Sequence, residues 1–137
     1  MKNKTYIVQP VIKDAQKSNP TILRILLSEQ FTQIDFGYAA PWMYIKGGWI
    51  DIAPQTYIRK VDSKEKFKLI NALNIPISPE RHDFETKSDW KVFSLFFEPI
   101  PIKDCVIEII EKENPNENNF NYYGISLEDV KGIEVLL

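Results

Sequence analysis

The residue types that most often carry out covalent chemistry are scarce in this sequence. It has one histidine, His82, and one cysteine, Cys105, and a thiolate activated by an imidazole is a common nucleophile. His82 lies between Arg81 and Asp83, and no nearby serine or cysteine forms a nucleophile motif with it. Cys105 begins an apolar run, where a buried and unreactive thiol is the usual outcome. We therefore interpret His82 as a solvated loop residue and predict no catalytic residues.

Acidic side chains are the next group with the chemistry to bind a ligand, in this case a metal ion. Asp83, Glu85, Asp89 and Asp104 are close enough in sequence to gather in adjacent loops. Calcium requires about six to eight oxygen ligands, and the sequence has no EF-hand-like loop with its glycine. A lone histidine without several thiolates does not make a typical zinc site. We predict no metal site and no cofactor.

Two further carboxylates, Glu98 and Glu111, each follow an apolar run. A pair of carboxylates is the arrangement that glycosidases use for general acid and base catalysis. A glutamate at the end of a strand is also well placed to bond to nearby backbone or to an arginine. We interpret both residues in this second way, as structural contacts.

Aromatic residues are the better candidates for a functional surface. Segment 39–48, Ala-Ala-Pro-Trp-Met-Tyr-Ile-Lys-Gly-Gly, places apolar side chains among turn formers and not in a periodic element. We predict a binding surface of Trp42, Met43, Tyr44 and Trp49, because aromatic and methionine side chains are enriched at protein interfaces. The alternative is that the segment folds back and caps one open end of the fold.

Length and composition are those of one globular domain, residues 1–137, with 44% apolar and 26% charged residues. A net charge of −2 gives no basic excess to neutralise phosphates, so we predict no nucleic-acid partner. The sequence has no run of about 18 apolar residues, so we predict no membrane span. The N-terminus lacks the apolar core of a signal peptide. We expect a cytoplasmic location for a full-length chain, and a periplasmic or cell-surface location if a leader has been removed.

The most apolar element is segment 90–97, which ends before Pro99 and Pro101. With a period of two, its apolar side chains divide between two faces: Phe93, Leu95 and Phe97 on one, and Trp90, Val92 and Phe96 on the other. A strand that is apolar on both faces belongs in the middle of a sheet with both sides covered. We predict that the first face packs against Ile34, Phe36 and Ile109.

Further strands are predicted where β-branched and aromatic residues recur between turn signals, at residues 5–13, 21–27, 31–38, 49–52, 55–60, 105–111, 120–127 and 132–137. Pro10 makes the first an edge strand. Residues 21–38 form a hairpin, with a helix as the competing interpretation. Residues 61–69 form either a hairpin that turns at 63–65, which the context favours, or a short helix capped by Asp62 or Ser63. The polar residues 80–89 are predicted to be a surface loop.

Roughly seven to nine short strands with frequent turn signals predict a two-sheet antiparallel sandwich. The order of motifs resembles a small immunoglobulin-like β-sandwich accessory domain of Bacteroidota proteins. The motifs are Trp-Ile-Asp-Ile-Ala-Pro-Gln-Thr-Tyr-Ile at 49–58, Asn-Ile-Pro-Ile-Ser at 74–78, Phe-Ser-Leu-Phe-Phe-Glu-Pro-Ile-Pro at 93–101, Ile-Glu-Ile-Ile-Glu at 107–111 and Tyr-Gly-Ile at 123–125. The resemblance covers roughly residues 20–127. It implies an all-β, immunoglobulin-like sandwich with little helix and assigns no catalytic residues. The chain departs from this pattern in its long 39–48 segment and in the missing glycine at 63–65.

Three hypotheses for function follow. The leading one is a non-enzymatic module that binds a protein partner, or a second copy of itself, through the aromatic 39–49 loop and neighbouring strands. The second is a carbohydrate-binding module that uses Trp42, Tyr44 and Trp49 as stacking platforms. The third and weakest is an enzyme built around Cys105 and His82.

Overall fold

In the computed structural model of the protein, residues 4–8, 10–12, 20–39, 49–84, 90–114, 119–130 and 134–135 are described. These residues form twelve strands: β1 Thr5–Val8, β2 Val11–Ile12, β3 Thr21–Ser28, β4 Thr32–Ala39, β5 Trp49–Ile50, β6 Tyr57–Lys60, β7 Lys66–Leu73, β8 His82–Asp83, β9 Trp90–Phe97, β10 Cys105–Ile110, β11 Tyr122–Leu127 and β12 Glu134–Val135. Eight of the twelve strands have four or more residues and the other four have two.

Ten of these strands form one antiparallel sheet in the order β12-β1-β3-β4-β9-β7-β6-β10-β11-β2. β5 and β8 pair separately. β2 is the last strand at one end of this order, and β1 is the second strand at the other end. Only residues 9–10 separate β1 from β2 in the sequence, so the two ends of the sheet lie close together and the sheet nearly closes into a barrel. The prediction of an all-β antiparallel fold with little helix is confirmed. No helix in the described ranges is long and apolar enough to cross a membrane.

β7 belongs to both halves of this sheet. Its residues 66–68 pair with β6, and its residues 69–73 pair with β9. The hairpin predicted to turn at 63–65 is confirmed by the pairing of Arg59 with Lys66, and the helical alternative is wrong. β3 and β4 likewise form the predicted hairpin instead of a helix. Intrinsic helix preference is a weak effect that strand partners such as β9 readily outweigh.

One face of β9 forms the centre of the core, as predicted. Six residues share a single buried cluster: Phe93, Leu95, Phe97, Ile34, Phe36 and Ile109. Phe36 and Phe93, which are paired across β4 and β9, stack with their ring centroids 5.1 Å apart. The ring of Phe120 lies 6.2 Å from that of Phe93 and extends the stack.

The other face of β9 is not covered, and the prediction that both faces are buried is wrong. Trp90 and Val92 are exposed and Phe96 is half-buried. The reason is topological, because a sheet that nearly closes on itself has only one interior. Apolar residues on the outward side of β9 therefore face solvent.

Two local predictions also need correction. The predicted strand 5–13 is divided into β1 and β2 around Pro10, which has no N–H to donate to a sheet. The predicted surface loop 80–89 contains a buried residue, Phe84, whose ring lies 5.5 Å from that of Tyr38. His82 is half-buried in β8, with its ring edge-on to Phe84 at 4.9 Å, and is not a solvated loop residue. The apolar contact of Phe84 holds this otherwise polar stretch against the core.

Candidate interaction face

Large apolar side chains of β3, β9 and β7 lie exposed on the outer side of the sheet, where β4 lies between β3 and β9. They are Leu23 (45% exposed), Ile70 (56%), Leu73 (61%), Trp90 (72%) and Val92 (42%), and together they are called the apolar stripe. Isolated exposed apolar residues are normal, but a set that shares one face of a sheet is typical of an interaction site.

The first contribution to the stripe comes from a β-bulge in β3. Ile22 pairs with Phe36 and Arg24 pairs with Asp35, so Leu23 is an extra residue with no partner in β4. In a bulge of this kind the extra residue and the residue after it point to nearly the same side. Leu23 and Arg24 are accordingly both exposed, while Ile22 is buried.

A second bulge in β7 has the same effect. Leu69 pairs with Phe97 and Asn71 pairs with Phe96, so Ile70 is the extra residue. Ile70 and Asn71 are exposed, whereas Leu69 packs partly buried against the core. Both bulges therefore add one apolar side chain to the solvent-facing side of the same four strands.

The middle of the stripe is continuous from β3 to β7. The side chain of Leu23 lies over Gly37 of β4, where a Cβ atom would be 3.5 Å from its Cδ1. Gly37 pairs with Val92 of β9. Leu73 pairs with Ser94, which makes it the diagonal neighbour of Val92 on the same face.

A polar cluster borders the stripe on β3, β4 and β9. Arg24 Nε donates a hydrogen bond to Asp35 Oδ2 at 2.5 Å, and Ser94 Oγ donates to Asp35 Oδ1 at 2.5 Å. Gln33 Nε2 donates to the same Oδ1 at 2.9 Å. Burial alone raises the pKa of Asp35, but the three hydrogen bonds and the charge of Arg24 outweigh it and hold the pKa below its usual value. Asp35 is therefore an ionised anchor for a half-exposed arginine.

A second cation lies at the other border of the stripe. Asn74, which has a φ of 67°, turns the chain after β7 and donates from Nδ2 to the carbonyl of Val92 at 2.6 Å. Lys91 Nζ donates to Asn74 Oδ1 at 3.2 Å, a neutral acceptor that does not compensate the lysine charge. The stripe is thus bordered by hydrogen-bond donors that belong to Arg24 and Lys91.

The predicted binding residues Trp42, Met43 and Tyr44 lie outside the described residues. Trp49 begins β5, where its backbone pairs with Asp83. At the other end of the segment, Ala39 pairs with Trp90, the most exposed residue of the stripe. β4 therefore ends beside the stripe.

The two residues considered for catalysis lie in different sheets. His82 is in β8, and Cys105 is half-buried in β10, where burial raises the pKa of the thiol. The Asp104 carboxylate accepts hydrogen bonds from the backbone amides of Asp129 and Val130. Over the described ranges, no three or more histidine, cysteine, aspartate or glutamate side chains are arranged to hold a metal ion.

Glu98 and Glu111 make backbone contacts, as predicted. Glu98 Oε1 accepts from the amide of Lys68 at 2.8 Å. Glu111 is buried, and its two oxygens accept from the amides of Ala53 and Phe120, each at 2.9 Å. Glu111 therefore fastens two separate loops to the end of β10.

The stripe itself was not predicted. The sequence interpretation assigns Trp90 and Val92 to a covered face and does not single out the other three residues. Adjacent apolar pairs, Ile22-Leu23 and Leu69-Ile70, lie at the two bulges, but the pair Leu26-Leu27 of β3 is regularly bonded, so such pairs alone do not identify a bulge.

The function of this surface has to be inferred from its geometry. The stripe is exposed, two bulges enlarge it, and it is bordered by hydrogen-bond donors. Comparison of the chain with protein-family models, with curated proteins and with solved structures gives no match.

Proposed function

We propose that this protein is a non-enzymatic module that binds a partner protein through the apolar stripe. The observation that carries the proposal is the pair of bulges, each of which places an additional apolar side chain, Leu23 or Ile70, on the solvent side of one face. Burying apolar surface contributes a favourable free energy of about 25 cal/mol for each Å² removed from water, and these exposed side chains do not contribute it in the unbound protein. A partner that covers the stripe recovers this free energy on binding.

Trp90 is the expected anchor of the interface. It is the most exposed of the five side chains, and tryptophan is among the residues most enriched at binding hot spots. Its neighbours on the stripe are aliphatic, and together they supply the apolar centre that a protein interface requires.

The border of the stripe favours a particular kind of partner. Arg24 uses only Nε toward Asp35, which leaves its two terminal amino groups for other acceptors, and Lys91 is bonded to a neutral amide. A partner with carboxylates around an apolar patch satisfies these donors. A second copy of this chain would bring its own donors to the same border, so a different protein fits better.

The predicted surface of Trp42, Met43, Tyr44 and Trp49 is retained within this proposal. β4, which immediately precedes segment 40–48 in the sequence, ends at Ala39 beside Trp90. We therefore expect the 39–49 loop to add contacts to the same interface. The carbohydrate alternative, which uses Trp42, Tyr44 and Trp49 as stacking platforms, is less favoured for the stripe, because the stripe has one aromatic ring, Trp90, and four aliphatic side chains.

We further propose that the nearly closed sheet is an immunoglobulin-like sandwich of the kind found as an accessory domain in Bacteroidota proteins. Two features support two packed layers. β7 changes partners from β6 to β9 along its length, and the chain passes from β1 to β2 around Pro10. The motif Phe-Glu-Pro-Ile-Pro at 97–101 supports the resemblance.

Site-specific photo-crosslinking tests the proposed function. A photoreactive phenylalanine analogue is placed at Val92 in the stripe or at Val61, which is exposed elsewhere, and crosslinked proteins are identified from source cells. We expect a specific partner from position 92 only. The partner is then purified and its affinity for the intact protein is measured.

Two double variants make the test decisive. Leu73→Asp/Val92→Asp alters the stripe, and Val61→Asp/Val106→Asp adds the same charge at residues of comparable exposure away from it. We expect the stripe variant to weaken the purified complex about 100-fold or more, and the control to change its affinity less than about threefold. Equal effects of the two variants, or crosslinking of position 92 only to a second copy of the chain, would contradict the proposal.

A further inference from the structure

A second surface lies beyond the far end of β9 from Trp90. It is an open groove of about 480 Å³ between the β3–β4 turn, the β6–β7 turn and the segment after β9. Its apolar part includes Phe67, Ile100, Pro101 and Ile102, and its remaining lining includes Glu29 and Glu65. β9 has eight residues, so the groove is roughly 20 Å from Trp90, and Ile70, three residues from Phe67 in β7, is the stripe residue that comes nearest to it.

The walls of the groove are held in place by hydrogen bonds. The buried Thr32 hydroxyl donates to the carbonyl of Glu98 at 3.2 Å and accepts from the amide of Ile100 at 3.1 Å. Ser28 Oγ accepts from the amides of Gln30 and Phe31 and shapes the β3–β4 turn. The groove is therefore formed before any ligand arrives, which lowers the entropic cost of binding.

The charged side chains that line the groove are all negative. Its lining has two glutamates, Glu29 and Glu65, and no lysine, arginine or histidine. Both glutamates are exposed, and neither carboxylate has an ion-pair partner among the described residues. They come from two different turns, β3–β4 and β6–β7. A ligand complementary to this groove is both apolar and cationic.

We infer that the groove binds an extended peptide segment in which a lysine or arginine stands next to apolar residues. Sites for small molecules usually bury most of the ligand surface, whereas this groove is broadly open to solvent. An extended segment can place apolar side chains on Pro101 and Ile102, which keep exposed surface, and direct a cationic side chain to Glu29 or Glu65. This site is independent of the stripe and of the function proposed for it.

Selection from a phage-displayed library of random peptides tests the inference. The library is selected on the wild-type protein, and enriched peptides are synthesised and titrated by fluorescence polarisation. The groove variant is Glu29→Gln/Glu65→Gln. The control is Glu80→Gln/Asp83→Asn, which removes the same charge from exposed residues outside the groove. Both variants change only exposed side chains, and equal melting temperatures verify their folding.

We expect the enriched peptides to combine lysine or arginine with neighbouring apolar residues. Their dissociation constants should rise at least about tenfold for the groove variant and less than about twofold for the control. The inference is overturned if no peptide is enriched, if enriched peptides lack basic residues, or if they bind the groove variant as tightly as wild type. Loss of binding in Leu73→Asp/Val92→Asp but not in the groove variant would also overturn it, because the peptides would then occupy the stripe.

Discussion

Phe96 and Phe97 are adjacent in β9 but point to opposite faces, so their alanine variants measure what each face contributes to stability. Phe97 is fully buried and lies between Thr32 of β4 and Leu69 of β7. Removing its ring leaves a cavity in the interior of the nearly closed sheet. We therefore expect Phe97→Ala to lower the free energy of unfolding by about 3–5 kcal/mol. A loss of this size is a large fraction of the about 5–15 kcal/mol that stabilises a typical domain.

Phe96→Ala is the matched control, because it removes the same atoms from the next residue. Phe96 is half-buried and makes an edge-to-face contact with Phe31 at 5.4 Å. Partial burial and one aromatic contact predict a loss of about 1–2 kcal/mol. Urea titrations of both variants and wild type give the free energies, and equal m-values verify that the unfolded states are comparable. A loss under about 1 kcal/mol for Phe97→Ala, or equal losses for both variants, would refute the assignment of the two faces.

Two further predictions concern buried carboxylates. Asp35→Asn should lower the free energy of unfolding by about 1–3 kcal/mol at neutral pH, because Asp35 accepts charged and neutral hydrogen bonds. Since the pKa of Asp35 is lowered by folding, its contribution is present above the unfolded pKa of about 3.9 and is lost as pH falls through the folded pKa. Urea titrations from pH 7 downward should show the gap between variant and wild type closing below about pH 4, and a constant gap would contradict this. Glu111→Gln should cost about 1–3 kcal/mol by weakening the bonds to the Ala53 and Phe120 amides. The partly exposed control Glu108→Gln should cost less in the same titration, and the opposite order would be inconsistent with the role assigned to Glu111.

The residues on the interior face of β9 could be predicted from the sequence because they recur with a period of two. Phe93, Leu95 and Phe97 alternate strictly, and burial then follows from the pleat of the strand. The hairpins β3–β4 and β6–β7 were predictable for the same reason, since short polar turns separate their apolar runs.

The outer face was not predictable in this way. Apolar residues such as Trp90 and Val92 occur both on covered faces and on solvent-exposed faces of sheets. Their exposure here follows from the near closure of the sheet, which the sequence of β9 does not reveal. The positions of Leu23 and Ile70 depend on bulges, which shift the register by one residue and are fixed by partner strands distant in sequence. The near closure of the sheet likewise depends on chain geometry around Pro10, which local preference leaves open.

The central claim, that the apolar stripe binds a partner protein, is tested most directly by titrating the purified partner identified by crosslinking against Trp90→Ala in a calorimeter. Tyr123→Ala, which removes an exposed aromatic ring outside the stripe, is the control. We predict that Trp90→Ala weakens binding about 30-fold or more, as expected for a hot-spot tryptophan, while its melting temperature stays within about 2 °C of wild type. A dissociation constant for Trp90→Ala equal to that of the wild type or of Tyr123→Ala would contradict the claim.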